Sequence, residues 1–92
     1  MALTWPYKDP DEILDYELDW ASRLPEGDTI STSTWIITGT GLVKDSDSHG
    51  DDSTTVWLSA GTLGTKYVLT NRVVTTGGRT MDQSVNLSVK AK

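Results

Sequence analysis

The chain has 92 residues, 36% of them apolar, with 13 acidic and 8 basic side chains for a net charge of −5. That length supports one domain around one modest core, and the lack of cysteine excludes disulfides and thiolate metal sites. The acidic balance disfavours binding a phosphate backbone, and no run of 18 apolar residues is present to span a membrane, so neither nucleic acid nor membrane is an expected partner.

Residues 1–12 read as an extended arm, because Pro6 and Pro10 push the residues before them out of the α region. The start of the arm lacks the basic and apolar run of a signal peptide. Asp9, Pro10, Asp11 and Glu12 also make a helix start, with an acid at the cap and proline in the first turn. A helix continuing to Leu24 would align Ile13, Tyr16, Trp20 and Leu24. The competing pattern is stricter: Leu14, Tyr16, Leu18 and Trp20 alternate with Asp15, Glu17 and Asp19. A period of two predicts a strand with one face in a core, and the strand is favoured, with at most one helical turn at residues 9–12.

Leu24, Pro25, Glu26, Gly27 and Asp28 form a turn, after which Thr29 and Ile30 start a short strand. Residues 34–38, rich in β-branched and aromatic side chains, make a clearer one. Gly39 and Gly41 interrupt, Leu42, Val43 and Lys44 resume briefly, and residues 45–53 read as a polar loop with nothing for a core. Residues 54–60 are a strand with Val56, Leu58 and Ala60 on one face and Trp57 on the other. After a reversal at residues 61–65, the longest strand spans 66–76. Gly77 and Gly78 supply a hairpin turn, and residues 80–90 return with Met81, Val85, Leu87 and Val89 in one parity. The expected fold is all-β, an immunoglobulin-like antiparallel sandwich of six to seven strands over residues 13–92, preceded by the arm. Tyr67, near the start of the penultimate strand, fits a tyrosine corner. Tyr67, Leu69 and Val73 then point inward, and Asn71 must find a partner or lie near an edge.

Chemistry-bearing residues are sparse. Asp45, Asp47 and Asp51, with Gly50 at the sixth position, resemble the opening of a calcium loop. His49 stands at its fifth position, however, and Val56 where the bidentate glutamate belongs. A lone histidine anchors no zinc, and no base, nucleophile and oxyanion donor occur together, so neither an enzyme nor a cofactor is expected. Four Trp, three Tyr and no Phe exceed the needs of so small a core. These side chains are enriched at interfaces, and Trp5, Tyr7 and Trp57 are the expected anchors to a partner.

Two groups of residues taken together carry a family resemblance. One runs Trp5, Pro6, Tyr7, Lys8, Asp9, Pro10, Asp11, Glu12, Ile13, Leu14, Asp15, Tyr16 into Leu18, Asp19 and Trp20. The other comprises Gly27, Asp28, Thr29 and Ile30, then Ser33, Thr34 and Trp35, then residues 56–62 and 78–84. In this order they resemble the small fibre–tail adaptor proteins of tailed bacteriophages and prophages. The resemblance implies a virion structural protein at the tail or head–tail region, made in the bacterial cytoplasm. It would bind neighbouring virion proteins, and copies of itself in a symmetric assembly, with no catalytic or metal-binding residue to carry over. The arm is expected to lie on a neighbouring subunit. The competing readings are a small carbohydrate-binding sandwich assisted by calcium, and an accessory domain of an enzyme.

Overall fold

The computed structural model describes residues 3–92; Met1 and Ala2, the first residues of the expected arm, lie outside them. Among the described residues seven strands occur, β1 Leu3–Thr4, β2 Leu14–Asp19, β3 Ile30–Thr38, β4 Leu42–His49, β5 Ser53–Ala60, β6 Lys66–Thr75 and β7 Thr80–Ser88. They form two sheets, β1-β7-β6-β3 and β2-β5-β4. Every pairing within the sheets is antiparallel except β1 alongside β7. If β2 to β7 are taken as the second to seventh strands of a Greek key, the two sheets are those of an immunoglobulin-type sandwich, as expected.

Alternation explains what lies between the sheets. Leu18 and Trp20 are buried while Asp15, Glu17 and Asp19 face water, so the segment is a strand, closed by a single 3-10 turn at Ala21–Arg23. From the other elements, Val56 and Leu58, Tyr67, Leu69 and Val73, and Val85, Leu87 and Val89 complete the core. Trp35 on β3 is buried too, in the place where immunoglobulin domains keep a core tryptophan.

Two polar residues fasten the layers. The Tyr67 hydroxyl donates to Thr40 O and accepts from Thr62 N at 2.9 Å, a tyrosine corner that ties β6 to the β3–β4 and β5–β6 connections, each of which crosses between the sheets. Asn71 Oδ1 accepts from Trp20 Nε1 at 3.0 Å and Thr54 Oγ1 at 2.7 Å, while its Nδ2 donates to Ser33 Oγ at 2.9 Å and Thr34 O at 3.0 Å. The inward-facing amide therefore joins both sheets with every bond matched.

The structure corrects several boundaries. Thr34–Thr38 and the Ile30 segment are one strand, bulged between Ile30 and Thr32. Residues 45–49 are not loop but the outer half of β4, paired to β5 through a bulge at Asp45. An edge strand gains its backbone bonds from a single neighbour and needs no buried side chain, so apolar periodicity is silent there. Ala60 does not continue the inward face. It sits exposed at φ +59, where β5 turns out of the sheet, and β7 ends at Ser88, two residues earlier than the pattern suggests.

Candidate protein interface

The outer face of the β2-β5-β4 sheet follows from register. Asp15 pairs with Trp57 and Trp57 with Ser46; Glu17 pairs with Thr55 and Thr55 with Ser48. One step toward the other end, Val43 pairs with Ser59, and Ile13, preceding the Leu14–Leu58 pair, stands level with Ser59 on the opposite flank. Ile13, Val43 and Trp57 are thus neighbours on one face, and they are 64%, 47% and 41% exposed. Asp15 and Glu17 border this apolar group along β2. On the other side the β4 bulge brings in Asp45, whose Oδ1 accepts a 3.0 Å bond from Ser59 Oγ. Among the described residues, none of the ion pairs involves Asp15, Glu17, Asp19 or Asp45. An apolar centre within a rim of unneutralised carboxylates has the anatomy of a protein contact surface.

The arm supports this end of the sandwich. Lys8 is fully buried, bridges to Val89, and its Nζ donates to Ala60 O at 2.7 Å and Asp9 O at 2.9 Å. Burial pulls its pKa below 10.5, against the opposing pull of Glu12, Asp9 and other carboxylates. Beyond it, residues 9–12 form a self-capped turn: Asp9 N donates to Glu12 Oε1 and Asp11 N to Asp9 Oδ1, each at 2.9 Å. Lys92 Nζ closes on Glu12 at 2.7 Å.

Of the three expected anchors, Trp57 is exposed at the centre of the face just described. Tyr7 is exposed near the same end, with the ammonium groups of Lys90 and Lys92 each 5.6 Å from its ring. Trp5 is turned onto its own chain, stacked 4.6 Å from the Tyr16 ring and 5.9 Å from that of Trp35. Sequence patterning assigns Ile13 and Val43 no place in a contact surface. The parity of Ile13 with Asp15 and Glu17 already put it on the outer face, whereas Val43 becomes its neighbour only through the β4–β5 register.

The calcium candidates are kept apart. Asp45 is bonded to Ser59, Asp47 pairs with Lys44 at 3.1 Å, and Asp51 lies in the turn after β4. Among the described residues no three His, Asp or Glu side chains are grouped to hold a metal ion. A shallow open depression between the Pro25–Asp28 and Thr76–Arg79 turns is lined by Asp28 and Arg79, which are bonded to each other at 3.0 Å. No helix among the described residues is long and apolar enough to cross a membrane.

Fold and surface together define a small immunoglobulin-like sandwich with an acid-rimmed apolar face. The family model Gp77, described as podophage GP4 fiber-tail adaptor protein gp77, matches residues 8–88, and the chain belongs to that family. Membership makes it a structural adaptor of the phage particle, a component that binds other virion proteins. A search of curated proteins found no match.

Proposed function

We propose that this adaptor grips one virion neighbour through the Ile13, Val43 and Trp57 face and a second through the Tyr7 end of the sandwich, linking tail to fibre. The observation that carries the reading is Trp57, an indole left 41% exposed in the middle of a sheet face with unneutralised carboxylates beside it. Indoles at the centre of a contact supply a large share of its energy, and the carboxylates select a partner with lysine or arginine around an apolar recess. Trp5 contributes by holding the described part of the arm, residues 3–12, against the sandwich of residues 13–92, so that Tyr7 is presented in a fixed place.

The test is binding of the purified chain to the tail and fibre proteins of its parent particle. Trp57→Ala is expected to weaken one of the two complexes by roughly thirtyfold and leave the other unchanged. Asp15→Lys with Glu17→Lys is expected to slow association and remove its sensitivity to salt. Both complexes surviving both changes at full strength would refute the assignment of this face.

A further inference from the structure

Lys8 is fully buried, yet among the described residues no carboxylate lies within ion-pair distance of its ammonium. Burying an ammonium without a paired carboxylate costs more than burying an apolar chain of the same length, so packing alone does not call for lysine here. What the ammonium holds is the Ala60 carbonyl, at 2.7 Å. Ala60 is the one non-glycine residue among those described with a positive φ, +59. That region is unfavourable for an L-residue unless its surroundings enforce it. Gly61 follows at φ +106 and donates its N–H to Gly41 O at 2.9 Å. The two residues make the corner at which β5 leaves its sheet, and Lys8 braces that corner from 52 residues away.

The corner adjoins the Trp57 surface. Ala60 pairs with Leu42 and the preceding Ser59 with Val43. Ser59 Oγ also donates to Asp45 Oδ1, in the bulge between Lys44 and Ser46. Val43 is a flank of the exposed indole and Asp45 is part of its rim. We infer that Lys8 is a positioning residue for that surface. By holding Ala60 in the left-handed corner it fixes the end of β5 and, through Ser59, the places of Val43 and Asp45. The inference rests on the Trp57 face being a contact surface, and it gives the arm a second duty, because lifting the arm takes Lys8 off Ala60. A partner drawing on the arm at Tyr7 therefore alters the grip on the partner at Trp57, and by linkage the reverse holds equally.

Lys8→Met keeps the apolar stem and removes the ammonium. In the full chain it should weaken, roughly fivefold, the same complex that Trp57→Ala weakens. It should also shift the backbone amide resonances of Val43, Asp45 and Ser59, while those of Asp28 and Arg79, in the turns at the far end of β6, stay in place. Adding Ala60→Gly to Lys8→Met should recover most of the affinity, because glycine enters the left-handed region without a brace. Loss of the arm's packing alone would not be repaired at residue 60. Ala60→Val tests the corner with Lys8 intact, even if Lys8→Met fails to fold. A β-branched residue resists that φ, so this variant should move the same resonances and weaken the same complex. Lys8→Met binding that partner at full strength, or a loss that Ala60→Gly does not restore, would overturn the inference, as would Ala60→Val behaving like the parent chain. Trp57→Ala weakening neither complex would instead overturn the contact face itself.

Discussion

Asn71 is fully buried between the sheets, and the atoms it bonds come from three separate stretches, at Trp20, at Thr54 and at Ser33 and Thr34. Asn71→Leu removes the acceptor that Trp20 Nε1 and the Thr54 hydroxyl share, leaving the buried Thr54 proton without its acceptor and Trp20 Nε1 with only the 3.4 Å approach to Thr54 Oγ1. Urea unfolding should show a loss of about 2–4 kcal/mol. Tyr16 should behave in the opposite way. Its hydroxyl is buried without a protein partner, and burial, with the nearby charge of Glu12, pushes its pKa up to about 12. Tyr16→Phe keeps the stack on Trp5 and should hold stability or raise it by up to about 1 kcal/mol. Asp28 carries an acid-labile contribution. The Thr75 hydroxyl, the Gly77 N–H, the Thr76 hydroxyl and the Thr29 N–H bring its carboxyl from 3.8 down to about 2. A depressed carboxylate stabilises the fold above its unfolded value, and that stabilisation disappears as pH falls through the folded one. Melting temperature should therefore drop between about pH 4 and pH 2, and Asp28→Asn should flatten that part of the profile. At this scale, parity put Tyr67 inward and Asn71 in the same row, and the structure showed Asn71 to be buried with its bonds matched. Nothing local pointed to the burial of Lys8, because its acceptor on Ala60 lies 52 residues away.

The arm is the least regular element and shows how little pairing holds an edge. Trp5 N donates to Asn86 O and Lys8 N to Ser88 O, both at 3.0 Å, and Lys90 N returns to Lys8 O at 2.9 Å. Between these anchor points the Trp5 ring adds its stack on Tyr16. Trp5→Ala should cost about 1–3 kcal/mol, less than a wholly buried indole, and should speed hydrogen exchange at the Trp5-side amides more than at Lys8. If the protection of both amides is unchanged, the ring is not what holds the arm. The other strands differ in how readily they can be read. β2, β5, β6 and β7 each bury one face, so alternation marks them. The outer half of β4 buries nothing, and its acids and serines are indistinguishable from a solvated loop until β5 is placed beside it.

For the molecule as a whole, charge is unevenly divided over the surface. The β2-β5-β4 face is acidic around an apolar centre, whereas the exposed side of β3 is neutral. A partner attracted by the first should bind less well as salt rises. Removing residues 1–10 takes away Trp5, Tyr7 and the Lys8 clamp together. The shortened chain is expected to melt at a lower temperature and to be left out of assembled particles; normal incorporation, seen by electron microscopy of the particle, would count against any role for the arm in docking. The amino-acid order alone pointed to the all-β class, the inward residues of four strands and the family, and suggested the tyrosine corner that the Tyr67 hydrogen bonds establish, because alternation and turn chemistry are local and survive without knowing what lies opposite. Tertiary structure decided that Ile13 and Val43 flank Trp57, that Trp5 packs against its own chain, and that β3 lies at the edge of its sheet. Those facts depend on which strands become neighbours and in what register, and backbone pairing between distant segments leaves no periodic trace in either one.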